Sequence, residues 1–165
     1  MTKPFVAILM GSDSDLPIMQ SACDTLKKFD INYEVRITSA HRTPDDAKQY
    51  VQDADKRGCA AFIAGAGMAA HLAGAVAANT LRPVIGVPIA AGSLQGLDAL
   101  LSTAQMPGGI PVATVAIGKA GAKNAAYLAA QIIGVSDDAM KLKLIEERQE
   151  NAEQIRAKND ALNLS

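Results

Sequence analysis

Aromatic residues, cysteine and histidine are all scarce in this chain of 165 residues. It has three Tyr, three Phe and no Trp, and Cys and His occur twice each. Cys23 and Cys59 lie far apart, and neither has a second Cys at metal-ligand spacing, so no tetrahedral metal site is indicated. Two isolated cysteines without a recognisable signal peptide are typical of reduced, buried thiols, and they predict a cytoplasmic protein.

An excess of charge of either sign is also missing. Sixteen basic and 17 acidic residues leave a net charge of −1, and no basic block is present. This balance argues against non-specific binding to nucleic acid or to an anionic membrane. A local site for a small anion remains open, because net charge does not describe local charge.

Residues 58–81 contain no Asp, Glu, Lys or Arg, and this run is long enough to span a bilayer. It consists largely of Ala and Gly, includes His71 and Asn79, and is interrupted by Gly65-Ala66-Gly67. We therefore predict a buried strand, a tight turn and a helix of small residues, with no membrane contact.

Short apolar runs alternate with longer amphipathic stretches along the whole chain. The runs predict strands at 5–10, 33–37, 60–64, 83–87 and 112–117, and helices at 16–29, 44–57, 69–79, 94–105, 120–133 and 137–162. This alternation predicts a parallel sheet with right-handed crossovers in a single three-layer α/β domain over residues 1–165. The charged C-terminal helix, within 137–165, carries a thin apolar stripe that suits docking on its own domain or on a neighbouring subunit.

Polar or Gly-rich loops follow the first three predicted strands, at 11–15, 39–44 and 65–74. In an open parallel sheet, ligands bind beyond the carboxyl ends of the strands, where the strand order reverses. We therefore expect these three loops to form one ligand site.

The first of these loops, Gly11-Ser12-Asp13-Ser14-Asp15, leads from a strand into a helix. Free backbone N–H groups and Ser hydroxyls at a helix start favour a phosphate, although Ser and Asp also cap helices without any ligand. One helix cap does not require two carboxylates, and this loop has two. Carboxylates can also accept hydrogen bonds from ribose hydroxyls. The GxGxxG and P-loop patterns are absent, so dinucleotide and P-loop sites are not favoured.

The second loop places a titratable imidazole, His41, beside a permanent cation, Arg42. Arg forms forked hydrogen bonds with phosphate, and an imidazole suits proton transfer near neutral pH. A lone loop His is commonly just solvated, but this one follows a strand opposite the Ser-Asp loop. We predict a catalytic role for His41. For His71, within an Ala-rich helix start, we predict a core or ligand-lining role.

Five segments resemble the N5-carboxyaminoimidazole ribonucleotide mutase family of purine biosynthesis. They are GSDSD (11–15), SAHRTP (39–44), GAGMAAHLAG (65–74), IGVPI (85–89) and QMPGGIPVATVAIGKAGAKNAAYLAAQII (105–133). The resemblance covers nearly the whole chain and leaves only the terminal helix loosely constrained. Met68 and Ala73 depart from the family pattern, which most often has Gly and Pro there.

The resemblance implies a flavodoxin-like three-layer α/β/α sandwich with a central parallel sheet, assembled as a homo-octamer. It implies a small ribonucleotide as substrate and no metal, nucleotide or organic cofactor. It places Ser12 and Arg42 near the phosphate and Asp15 near the ribose, and it assigns proton transfer to His41. The remaining residues that we expect around the substrate are Gly11, Asp13, Ser39, Gly67, Met68, Ala69 and His71.

The activity implied by the resemblance is that of an isomerase, which moves a carboxyl group from nitrogen to C4 of the aminoimidazole. Two alternatives remain open at this point. One is a carboxylase that takes free CO2 and the unmodified aminoimidazole ribonucleotide. The other is a nucleotide-binding module without catalytic activity.

Overall fold

Five strands form one parallel sheet in the computed structural model of the chain, which describes residues 4–162. The strands are β1 (Phe5–Met10), β2 (Asn32–Ile37), β3 (Cys59–Gly67), β4 (Val84–Ile89) and β5 (Ala113–Thr114). Their order across the sheet is β2-β1-β3-β4-β5, so the order reverses between β1 and β3. This is the flavodoxin-like arrangement, and the predicted fold class is confirmed.

Six helices cover the two faces of the sheet. They are α1 (Leu16–Lys28), α2 (Pro44–Lys56), α3 (Leu72–Ala77), α4 (Leu97–Ala104), α5 (Lys119–Gly134) and α6 (Asp138–Asp160), and a 3₁₀ turn (Asp13–Asp15) precedes α1. Within the described residues, 4–162, no helix combines the length and the apolarity that crossing a membrane requires.

The central strand β1 is apolar throughout because it is covered on both sides. Val6, Ile8 and Met10 join one buried cluster, with residues of α1 and α5. Ala7 and Leu9 join the other cluster, with residues of α2 and α3. Alternate side chains of a strand point to opposite faces, so an uninterrupted apolar run is what a doubly covered strand needs.

The first half of α6 docks on its own domain. Met140 and Glu147 are buried, and Lys143 Nζ donates to the Phe29 carbonyl at 3.1 Å. Glu147 accepts a hydrogen bond from the Tyr127 hydroxyl at 2.6 Å and forms an ion pair with Lys28. The second half of α6 is exposed except for the half-buried Ala152. Residues 163–165 of the predicted 137–165 segment lie outside the described residues.

Two helices start later than the sequence predicts because the backbone at their predicted starts is not helical. The N–H groups of Ala70 and His71 donate to carbonyls two residues earlier, and α3 begins at Leu72 instead of residue 69. Gln95 and Gly96 have φ values of 50° and 92°, and α4 begins at Leu97 instead of residue 94. A residue with positive φ cannot continue a right-handed helix.

The third strand is longer, and the fifth shorter, than predicted. β3 continues to Gly67, through the predicted turn, because its last residues pair with β4. β5 has only two residues paired with β4, although the prediction covered 112–117. Pro88 of β4 has no N–H to donate, and the Gly118 N–H donates to its carbonyl at 2.9 Å, so this edge of β4 cannot support a regular ladder.

Candidate functional site

A cleft of about 510 Å³ opens at the carboxyl ends of the strands, between β1 and β3. The loops after β1, β2, β3 and β4 all contribute to its walls. In a sheet of this order, ligands bind at this reversal point. The lining residues are Gly11, Ser12, Ser14, Asp15, Ser39, Ala40, His41, Arg42, Ala66, Gly67, Met68, Ala69, His71, Leu72 and Ala91.

The loop after β1 is shaped by a reciprocal cap. The Ser12 hydroxyl accepts from the Ser14 N–H at 3.3 Å, and the Asp15 carboxylate accepts from the Ser12 N–H at 3.1 Å. Burial raises the pKa of Asp15, and hydrogen bonds from the backbone of Ser12 and Gly11 oppose that rise. Ser12 and Asp15 therefore cap the helical turn and also line the cleft in which we predict the ligand.

Among residues 4–162, Asp13 is the one predicted site residue that does not line the cleft. Its carboxylate accepts from the Ser14 N–H at 3.0 Å and from the Ser12 hydroxyl at 3.0 Å. This side chain supports the turn, and its contact with substrate stays a prediction.

The loop after β2 presents His41 and Arg42 from a tight, internally bonded turn. The Ser39 hydroxyl accepts from the backbone N–H groups of His41 at 3.3 Å and Arg42 at 3.1 Å. Thr43 directly precedes α2, but its hydroxyl accepts from the Ser39 N–H at 2.9 Å and does not cap the helix. Arg42 Nη2 donates to the Gly11 carbonyl at 3.5 Å, which joins this loop to the first one.

The last residue of β3, Gly67, lies so close to the end of β4 and its loop that a side chain there would be crowded. A Cβ there would lie 3.0 Å from Ala91 Cβ and 3.1 Å from the Ile89 carbonyl oxygen. The next residue, Met68, is in the left-handed region, is 57% exposed, and extends toward Gly92. Its departure from the family pattern therefore falls at a position where Gly carries less strain. Ala73, the other departure, is buried in α3.

The two histidines of the chain meet in the cleft. His41 Nε2 lies 2.5 Å from His71 Nδ1, and the two rings are inclined at 79°. A hydrogen bond at this separation requires that one nitrogen carries a hydrogen and the other a lone pair. The contact joins the loop after β2 to the loop after β3, and both side chains are exposed to a ligand.

Ten of the eleven predicted site residues line the cleft. Five further residues line the cleft without having been predicted: Ser14, Ala40, Ala66, Leu72 and Ala91. Ala91 follows the carboxyl end of β4. The rule that ligands bind beyond the carboxyl ends of parallel strands, applied to β4 as well, would have predicted it. Alanine and leucine carry no chemical signal, and nothing in their pattern separates lining from ordinary packing.

The cysteines lie outside the cleft. Both are free and buried, as predicted, and burial raises the pKa of Cys23 and, to about 11, that of Cys59. Neither thiol is therefore poised as a nucleophile at neutral pH. Across residues 4–162, no three His, Cys, Asp or Glu side chains are grouped to hold a metal ion.

A parallel sheet of this order, with a cleft at its reversal point, defines a flavodoxin-like α/β protein. The family model described as AIR carboxylase matches residues 5–154. This chain belongs to that family, and it is an enzyme.

Relatives that are named for two different activities are similar to this chain in sequence. N5-carboxyaminoimidazole ribonucleotide mutase of Bacillus subtilis (strain 168) is 53% identical over 152 residues, which covers 92% of this chain and 93% of the relative. Phosphoribosylaminoimidazole carboxylase of Ogataea methanolica is 57% identical over 136 residues, which covers 82% of this chain but 25% of that protein. The crystal structure of Treponema denticola PurE matches with a TM-score of 0.88 and 32% identity, covering 98% of this chain and 99% of that one.

Proposed function

We propose that this enzyme converts N5-carboxyaminoimidazole ribonucleotide into 4-carboxy-5-aminoimidazole ribonucleotide, an isomerase step of de novo purine biosynthesis. The Bacillus subtilis relative bears the name of this activity and aligns over nearly its full length. The observation that carries the proposal is the convergence of Ser12, Arg42 and His41 on one cleft. A phosphate-binding corner and an imidazole in one site are what this substrate requires.

In this proposal the ribonucleotide lies across the three loops. Arg42 and Ser12 bind the phosphate, because a guanidinium forms charge-assisted, forked hydrogen bonds with phosphate oxygens. Asp15 accepts from the ribose hydroxyls, next to Gly11 and Asp13 on the same loop. The base and its mobile carboxyl group lie against Gly67, Met68, Ala69 and His71, while Ser39 holds the turn that carries His41.

The reaction follows from the chemistry of the aminoimidazole, which is an enamine and nucleophilic at C4. The bond between the exocyclic nitrogen and its carboxylate breaks, CO2 leaves, and the nitrogen takes a proton from the His41 imidazolium. C4 then attacks the retained CO2, and the proton on C4 passes back to the His41 imidazole. No electrons are transferred overall, so the reaction as written requires neither a metal nor an organic cofactor.

One imidazole suffices for both proton transfers because they run in opposite directions. The contact between His41 and His71 supports this assignment. Their facing nitrogens share one hydrogen, so with both rings neutral the two outer nitrogens, His41 Nδ1 and His71 Nε2, are one acceptor and one donor for the substrate. General acid–base catalysis of this kind typically contributes ~10²–10⁴-fold, and holding CO2 next to C4 contributes further.

Turnover in labelled bicarbonate distinguishes the mutase from a carboxylase that uses free CO2. We expect the enzyme to convert the N5-carboxylated substrate into product with little label, because the released CO2 stays in the cleft. Rapid incorporation of label, or turnover of the unmodified aminoimidazole ribonucleotide with bicarbonate, would instead assign the carboxylase activity. That is the activity for which the Ogataea methanolica relative is named.

We further propose that the chain is cytoplasmic and works as a homo-octamer in which each copy is one domain. Two buried free thiols fit a reducing compartment. Large apolar side chains are exposed, including Leu81, Leu94 and Ile155, and Ile155 lies on the second half of α6, which suits docking on a neighbouring subunit. Light scattering is expected to give eight times the 17.1 kDa mass of the chain. A monomer would contradict the assembly.

A further inference from the structure

Ser102, on α4, makes a hydrogen bond outside its own helix. Its hydroxyl donates to the Asp98 carbonyl at 2.8 Å, one turn earlier, and accepts from the Ala70 N–H at 3.2 Å. A hydroxyl has one hydrogen and two lone pairs, so it makes both bonds at once. Ser102 lies outside the cleft lining, and no predicted site residue is on α4.

The loop that Ser102 contacts is tightly bent. It begins at Met68, with a φ of 52°, and two short internal hydrogen bonds follow, from Ala70 N–H to the Met68 carbonyl at 2.8 Å and from His71 N–H to the Ala69 carbonyl at 2.9 Å. These bonds shape the loop but do not attach it to the rest of the protein. The bond that Ser102 accepts from the buried Ala70 does attach it, and the Ala70 N–H divides this bond with the one to the Met68 carbonyl.

Ala70 directly precedes His71, whose Nδ1 lies 2.5 Å from His41 Nε2. We propose that Ser102 is a positioning residue for the reaction. By fixing the backbone at Ala70, it places the His71 imidazole where it shares a hydrogen with His41. The inference rests on the proposed function, in which His41 transfers the proton.

A neighbouring residue provides a matched control. Thr103 also donates to a carbonyl one turn earlier, that of Ala99 at 2.7 Å, and its hydroxyl has no bond to the loop. Serine and threonine often make such bonds inside helices without any further role. Thr103→Val therefore removes a hydroxyl of α4 but leaves the loop contact intact, whereas Ser102→Ala removes the loop contact.

The test compares the steady-state kinetics of Ser102→Ala, Ser102→Thr and Thr103→Val with those of the unmodified enzyme. Ser102→Ala is expected to lower kcat on the order of tenfold or more, with a smaller change in KM, because the phosphate-binding loops are untouched. Ser102→Thr keeps the hydroxyl and is expected to restore most of kcat, and Thr103→Val to resemble the unmodified enzyme. Unchanged kcat in Ser102→Ala, or an equal loss in Thr103→Val, would overturn the inference.

A second measurement separates this inference from the proposed function. The imidazole NMR signals of His41 and His71 report their contact without any turnover. Ser102→Ala is expected to shift both sets of signals, and Thr103→Val neither. If the unmodified enzyme does not convert the substrate, the proposed function fails, while these signals still decide whether Ser102 positions His71. Imidazole signals that are identical in all three proteins would reject the positioning role.

Discussion

His41 and His71 are thirty residues apart in sequence, yet His41 Nε2 lies 2.5 Å from His71 Nδ1. Each residue is on a loop that follows a different strand, β2 for His41 and β3 for His71. Because β1 lies between these strands, the two loops have to reach toward each other over its carboxyl end. Their contact therefore crosses the point where the strand order reverses.

Replacing His41 with Asn tests whether the imidazole is catalytic. Asn preserves polarity and much of the shape but cannot take a proton at neutral pH. Turnover is expected to fall by ~10²–10⁴-fold, while the affinity for the ribonucleotide, measured by calorimetry, changes little. Unchanged turnover would remove His41 from the mechanism. An unmodified protein that binds the nucleotide but never converts it would favour a binding module without catalytic activity.

Arg42→Ala is expected to weaken substrate binding more than it slows the bound substrate. Loss of hydrogen bonds from a charged group to phosphate costs about 1.5–3 kcal/mol, and this loss should be seen as a raised KM. Arg36→Ala, on β2 and outside the cleft, removes the same charge and serves as the control. An unchanged KM with a lowered kcat in Arg42→Ala would count against a phosphate-binding role.

Met68→Gly is expected to make the protein more stable than Met68→Ala. Both variants lose the side chain that extends toward Gly92, but only glycine relieves the cost of a Cβ at a φ of 52°. The difference in the free energy of unfolding should be about 1 kcal/mol, measured by urea denaturation. Equal midpoints for the two variants would show that position 68 is not strained.

Glu147→Gln is expected to lower the free energy of unfolding by about 1–3 kcal/mol, because a buried carboxylate that is 6% exposed loses its ion pair with Lys28. Glu150→Gln, at an exposed position on the same helix, is the control. An equal effect of both substitutions would contradict a specific role for Glu147.

The stability that Glu147 provides should also depend on pH. Hydrogen bonds from Lys28 and then Tyr127 hold the pKa of Glu147 below its usual value. The folded pKa is therefore lower than the unfolded one, so the contribution is fully present above about pH 4.3 and is lost as the pH falls through the folded pKa. Denaturation curves from pH 7 down to pH 3 are expected to converge for the unmodified protein and Glu147→Gln.

The sheet and the site loops could be predicted because their signals are local. An apolar run such as Phe5–Met10 identifies a strand covered on both faces, and the rule that ligands bind beyond strand ends predicts where the cleft lies. The backbone conformation of single residues could not be predicted in the same way. The left-handed conformation of Gln95 delays α4, and no residue pattern indicates it.

Contacts between side chains far apart in sequence could not be predicted at all. The contact between His41 and His71 depends on how far each loop bends, and we propose that the bond from the Ala70 N–H to Ser102 helps to set that bend. Nothing in the sequence around Ser102 sets it apart from other helical serines, so its contact with Ala70 is visible only in the folded chain. Asp13 shows the reverse case, in which a chemically suggestive side chain supports its own turn.

The crowding at Gly67 limits how this pocket can be altered by evolution or by protein engineering. At position 67 any side chain would press on Ala91 Cβ and the Ile89 carbonyl oxygen, at 3.0 and 3.1 Å from its Cβ, so these neighbours would have to move. The adjacent Met68 is open to solvent, so size and polarity can vary there at little steric cost. Libraries that reshape the substrate preference of this enzyme should therefore diversify residue 68 and leave residue 67 alone.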